Sequence, residues 1–145
     1  MEGKVTGAGI LAIERKTGKI LLGRRGLEGK EPNTWSPFGG TYDEKDQHPR
    51  KTALREFFEE CGCKVKFELS KMPFYTCDDN HVKFYTYIGI FDDEFEITLS
   101  DENVDYGWFD IEHLPENLHS GVQRMIDDKL KALLHLKNYY LGLKS

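Results

Sequence analysis

Apolar positions crowd the start of the chain. Val5 to Glu14 (VTGAGILAIE) is β-branched and apolar almost throughout, and Lys19 to Arg25 (KILLGRR) is a second short apolar run. Both predict strands, and Lys16-Thr17-Gly18 between them predicts a tight hairpin turn. The pattern then breaks. Gly26 to Pro37 is rich in Gly, Pro, Asn and charge, which predicts a loop with Trp35 as its odd apolar member. Gly39-Gly40 marks backbone that turns sharply or approaches something closely. Asp43 to Gln47 is polar loop.

The period changes after that. Pro49 suits a first helical turn and Gly62 a C-terminal cap, so a helix is predicted from Pro49 to Cys61. Ala53, Leu54, Phe57, Phe58 and Cys61 are expected to face the core, with Glu56, Glu59 and Glu60 facing away. Short strand-like segments follow from Lys64 to Asp92, with Val82 to Ile90 alternating most strongly. Asp92 to Glu96 reads as an acidic turn, Glu96 to Leu99 as another short strand, and Val104 to Phe109 leads into Leu114-Pro115. From Ser120, a plausible N-cap, Val122, Met125, Ile126, Leu130, Leu133 and Leu134 recur at helical spacing. Strands, a helix, more strands and a closing helix predict an α+β domain of α/β/α layered type. No repeat or linker divides residues 1–145.

Composition narrows the class. A chain of 145 residues fits one domain with a proper core. No run approaches the roughly 18 apolar residues of a membrane helix, and the opening MEGKVTGAGILAIE lacks the basic region of a secretory signal. Cys61, Cys63 and Cys77 are an odd number without a CxxC pair, which suits reduced thiols in the cytoplasm. A net charge of −5 leaves no basic footprint for long nucleic acids. A small phosphorylated ligand fits only if a metal supplies positive charge.

The stretch Arg55 to Gly62 (REFFEECG) carries such a possibility. Spacings of three and four put Glu56, Glu59 and Glu60 on one side of a helix. Like charges so placed destabilise an isolated helix by a few tenths of a kcal/mol per pair. They also lie at its C-terminal end, where the macrodipole favours cations. Three carboxylates with no paired Cys or His favour a hard cation such as magnesium, with manganese a substitute. A merely solvated acidic helix face is the competing explanation.

From Gly40 through Arg55-Glu56-Phe57-Phe58-Glu59-Glu60-Cys61-Gly62-Cys63 the sequence resembles the Nudix box, Gx5Ex7REUxEExGU with U aliphatic. The five fixed residues of the REUxEExG core are present. The spacing from Gly40 to Arg55 is one residue longer than the family pattern. Asp46 takes the place of the first Glu, with Glu44 competing, and Phe57 and Cys63 stand at aliphatic positions. An early hairpin, WSPFGG, the later ENVDYGW and a terminal helix extend the likeness. The resemblance implies a Nudix-type α/β/α sandwich with a mixed β-sheet and a C-terminal helix.

It also implies an activity: metal-dependent hydrolysis of a pyrophosphate bond in a nucleoside diphosphate linked to another group, by water attack on phosphorus. Matched residue by residue, Glu59 and Glu60 are metal ligands and Glu56 a ligand or general base. The Gly40 carbonyl completes the coordination, and Arg55 orients the glutamates. Glu102, six residues before Trp108, is the candidate for a further ligand or base, with Asp101 and Asp105 competing. Arg24, Arg25, Trp35 and Tyr85 are candidate substrate contacts, each with a packing or surface role as its alternative. His48, His81, His113, His119 and His135 form no ligand spacing. A non-catalytic nucleotide sensor and the isopentenyl diphosphate isomerase branch are the rival readings. The intact glutamates argue against the first, and no second Cys-containing motif near Trp35 supports the other. Nucleoside triphosphates, dinucleoside polyphosphates, ADP-ribose and nucleotide sugars all remain open as substrates. The Glu102–Trp108 spacing leans toward the first two. Monomer and homodimer are equally open.

Overall fold

A computed structural model describes residues 4–142; residues 1–3 and 143–145, included in the single-domain reading and in the opening segment read for a leader, lie outside the described residues. The architecture is α+β, with one mixed sheet carrying a helix on each face. The central strand is β1 (Val5–Glu14), paired in parallel along its whole length with β7 (Val82–Phe91). β1 also pairs antiparallel with β4 (Phe38–Thr41) and, at Ile13, with β2 (Ile20–Arg25). β2 carries β3 (Trp35–Ser36) and β8 (Asn103–Phe109), while β7 carries β5 (Glu68–Leu69) and β6 (Tyr75–Asp78).

Side-chain alternation on these strands builds two cores. Ala8, Ile10, Ala12, Leu21 and Tyr87 pack under helix α1 (Pro49–Cys61) with Ala53, Phe57 and Cys61. Leu11, Ile13, Ile20, Leu22, Ile88 and Ile90 pack under helix α2 (Ser120–Gly142) with Val122, Met125, Ile126 and Leu133. A strand buried on both faces reads as a continuous apolar run, which is why β1 was conspicuous in the sequence.

The first hairpin forms as expected. Gly18 adopts φ 75°, and the buried Glu14 carboxylate accepts from the Lys16 and Thr17 backbone and the Thr17 hydroxyl. Helix α1 has the expected bounds. His48 Nδ1 accepts from Arg50 N–H at its start, and Gly62, at φ 62°, donates to Phe58 O at its end.

Five expectations need correction. Trp35 does not lie in a free loop: it belongs to β3, which bridges to Leu118. Residues 44–46 form a 3₁₀ turn closed by reciprocal Asp43–Asp46 capping bonds. Glu96 to Leu99 is not a strand. Its neighbourhood caps α1 instead, with Thr98 N–H donating to Cys61 O and Ser100 N–H to Glu60 O, so the helix carbonyls outcompete a sheet edge. At α2 the capping residue is His119, whose Nδ1 accepts from Gly121 N–H, while Ser120 donates both its N–H and hydroxyl to Glu31. On α1 the faces are rotated from the expected ones. Phe58 is 46% exposed, resting on Phe67 beside an open apolar depression of about 440 Å³, whereas Glu60 is only 4% exposed beneath the 97–102 segment.

The β6–β7 hairpin yields a pH prediction. Asp79 accepts from the backbone N–H groups of His81 (2.7 Å) and Val82 (2.8 Å), which lower its pKa to about 2. A depressed carboxylate pKa contributes stability that is complete above the unfolded value of about 4 and is lost as pH falls through the folded value. Asp79→Ala is therefore expected to lower Tm at pH 7. Thermal melts should show the gap to the wild type narrowing from pH 5 to pH 3.

Candidate active site

Glu56 of α1 meets the sheet at one row of residues. Ala8 on β1 lies between Gly40 on β4 and Tyr85 on β7, all in register on the α1 face. Glu56 stands directly over Gly40: a Cβ built there would come 2.3 Å from the Glu56 carboxylate. Only glycine admits the carboxylate so close to the strand. Gly40→Ala is expected to push Glu56 aside and lower kcat by about 10²-fold while the fold persists, because displacement near 1 Å at a reacting centre has that effect. Circular dichroism and steady-state kinetics together check this.

Arg55 organises the same face. Its Nε and one terminal nitrogen grip Asp46 at 2.8 and 2.9 Å in a fork, while that terminal nitrogen also donates to Thr41 O at 3.0 Å. The other terminal nitrogen donates to Glu56 at 3.4 Å and to Glu59 at 3.1 Å. Asp46 is buried and also accepts from the Thr52 hydroxyl at 2.8 Å and Asp43 N–H at 3.0 Å. Hydrogen bonding to Arg55 holds Asp46 far below the usual carboxylate range and raises the Arg55 pKa in turn. Asp46, rather than Glu44, thus occupies the position facing Arg55. Its oxygens are committed to these bonds, so it positions the arginine.

Glu60 and Glu102 close the other side. Glu102 comes from the turn preceding β8, and its N–H donates to the Ser100 hydroxyl, which in turn donates to Glu60. Burial first, and Glu102 second, push the Glu60 pKa up, against a hydrogen bond from the Ser100 hydroxyl that lowers it. Burial and the charge of Glu59 likewise raise Glu56, with Glu102 and Asp46 adding to the effect and Arg55 opposing it. Four carboxylates therefore share a partly desolvated patch with one guanidinium.

That donor set fits a hard divalent cation: it is all oxygen, net negative, and destabilised by its own charge. The arrangement is a face rather than a closed cage. Among the described residues no three His, Cys, Asp or Glu side chains already converge at metal-binding geometry. Glu59 leans to Arg55 and Glu60 to Ser100 instead. Magnesium usually keeps waters and substrate oxygens as ligands, so an open face suits it.

A family model, the NUDIX domain, matches residues 3–129. The chain belongs to the NUDIX domain family. Solved Nudix structures agree with the fold. A Nudix hydrolase from M. smegmatis, RenU, superposes with TM-score 0.75 at 17% identity, covering 93% of this chain and 89% of that one. A C. elegans Ap4A hydrolase binary complex gives 0.63 at 19%, covering 94% and 98%. A MutT/nudix family protein from Enterococcus faecalis gives 0.64 at 18%, covering 75% of this chain, which matches only 44% of that protein. No curated protein matches the sequence.

The remaining Nudix candidates are scattered. Arg24 bonds Asn33 at 2.6 Å and stacks on Trp35, 5.9 Å from its centroid, on the α2 side of the sheet. Trp35 packs edge-on against Phe109 in that core, so it anchors a loop there. Arg25 lies where its charge acts on Glu31 and His119. Asp105 faces Arg24 at 3.9 Å, while Glu102 N–H meets the Ser100 hydroxyl that bonds Glu60. Tyr85 keeps to the α1 face, half-buried against its core. Sequence reasoning missed Ser100 and Thr52. Thr52 had a weak signal, lying three residues before Arg55; Ser100 had none.

Proposed function

We propose that this Nudix pyrophosphohydrolase cleaves the pyrophosphate bond of a small nucleoside diphosphate derivative, with magnesium or manganese held by Glu56, Glu59, Glu60 and the Gly40 carbonyl. The observation that carries this is the placing of Glu56 over Gly40 on the carboxylate face of α1, with Glu60 and Glu102 joined through the Ser100 hydroxyl. When bound, divalent cations would lower the pKa of the attacking water and neutralise phosphate oxygens.

The chain's own residues account for the rest of the chemistry. Arg55, fixed by Asp46, holds Glu56 and Glu59 against their mutual repulsion, donating to one Glu56 oxygen and to both oxygens of Glu59. Glu102, on a loop rather than the helix, is the group we assign as general base or further ligand. Tyr85, two strand spacings or about 10 Å across the row from Gly40, is the substrate contact we retain. Arg24 and Trp35 are engaged with each other and are not assigned that role.

For the substrate we favour dinucleoside polyphosphates and nucleoside triphosphates. The Glu102–Trp108 spacing supports this lean, as does the fold likeness to an Ap4A hydrolase. We also place the chain in the cytoplasm. All three cysteines are free, with the Cys61 thiol pushed up to about 12 by burial. No helix among the described residues is long and apolar enough to cross a membrane. A panel with magnesium tests the assignment: nucleoside triphosphates, dinucleoside polyphosphates, ADP-ribose, reduced dinucleotides and nucleotide sugars. Hydrolysis within the first two groups is expected. Tight binding with no turnover of any member would make the chain a sensor and overturn the enzyme assignment.

A further inference from the structure

Ser100 lies in a segment with no regular structure, yet it makes four hydrogen bonds that converge on the acidic patch. Its N–H donates to Glu60 O at 3.1 Å, and Asn103 N–H donates to its carbonyl at 3.4 Å. Its hydroxyl donates to Glu60 Oε2 in a short bond and accepts from Glu102 N–H at 3.4 Å. One side chain therefore touches both the helix glutamate and the backbone that carries Glu102. A serine hydroxyl has one proton and two lone pairs, so it can serve both at once.

The backbone bonds already fix where the loop sits on α1, since Thr98 N–H also donates to Cys61 O at 2.9 Å. The hydroxyl adds something separate. It bonds one oxygen of a buried carboxylate and so favours one orientation of that group. Among the described residues, the Ser100 hydroxyl is the side-chain donor to the Glu60 carboxylate.

We propose that Ser100 is a positioning residue whose hydroxyl holds the Glu60 carboxylate in the orientation in which it would ligate a divalent cation. This rests on the metal-binding reading of the α1 face. Groups that orient metal ligands in this way typically change metal affinity by 10–100-fold when removed.

The test is titration of the protein with Mn²⁺ alone, without substrate, reading the loss of the free-ion EPR signal. Wild type, Ser100→Ala, Ser100→Thr and Glu60→Gln are compared, with circular dichroism to verify folding. Ser100→Ala is expected to weaken Mn²⁺ binding about tenfold and raise the magnesium concentration for half-maximal activity in parallel, with substrate KM at saturating magnesium unchanged. Ser100→Thr, which keeps the hydroxyl, should restore affinity to within about twofold of wild type. A purely structural role would lower Tm without this split between metal and substrate. If Ser100→Ala does not fold, Ser100→Cys, with its weaker S–H donor, should show an intermediate loss. Unchanged affinity in a folded Ser100→Ala or Ser100→Cys, with Glu60→Gln impaired, overturns the positioning role and leaves the metal site standing. Equal Mn²⁺ binding by wild type and Glu60→Gln overturns both.

Discussion

Glu60→Gln is expected to lower kcat by about 10³-fold, equivalent to about 4 kcal/mol of transition-state stabilisation, while the metal-free protein should melt a few degrees higher than wild type. The two effects come from one cause. Glu60 is buried beside Glu102, with Glu56 on the same face, and its ionised form is disfavoured there. An amide of the same shape removes the repulsion and can still accept from Ser100. The same amide is a poor ligand for a hard cation, so activity falls. A variant that becomes more stable as it loses activity is what a site strained for function should yield. Melting and kinetics on one preparation read both. A Glu60→Gln protein that is less stable and fully active would show Glu60 to be an ordinary structural residue.

Arg55→Ala should have the second-largest effect, a fall in kcat of about 10²-fold accompanied by a lower Tm. Removing the guanidinium frees Glu59, leaves Glu56 against its like-charged neighbours, and strands the buried Asp46 carboxylate with only Thr52 and Asp43 as donors. Arg55→Lys is expected to recover little, because an ammonium cannot reproduce the planar fork to Asp46. Asp46→Asn should cost less than Arg55→Ala. The double variant should resemble Arg55→Ala alone, since both substitutions act through one contact. Strict additivity of the two kcat losses would mean that Asp46 has a role apart from the arginine.

Legibility in the sequence followed the local signals. The bounds of α1 were readable because Pro49 and Gly62 mark them by backbone geometry, and the glutamate spacing placed the acidic face. The hairpin at Gly18 and the buried strand β1 were equally plain. Which side of α1 the solvent sees was not readable. That depends on residues 97–102 folding back over Glu60, a contact made by irregular backbone some 40 residues further along. The same contact explains why Glu96 to Leu99 looked like a strand and is not one. That Arg24 and Trp35 lie together on the α2 side of the sheet was unreadable for a related reason. A register shift between Arg24 and Arg25 and the bridge from Trp35 to Leu118 are tertiary facts with no local mark. Asp46 was found by motif spacing, but its partnership with Arg55 needed the extra turn at 44–46 to be seen.

The central claim is that these carboxylates use a divalent cation to hydrolyse a pyrophosphate bond. The most direct measurement follows phosphate-bond cleavage of dinucleoside polyphosphates and nucleoside triphosphates in H₂¹⁸O, with magnesium or with EDTA, by wild type and by a Glu59→Gln/Glu60→Gln double variant. The expected result is ¹⁸O in one phosphate product, with cleavage dependent on magnesium and lost in EDTA and in the double variant. Cleavage that persists without the cation, or that the double variant performs as well as wild type, would contradict it.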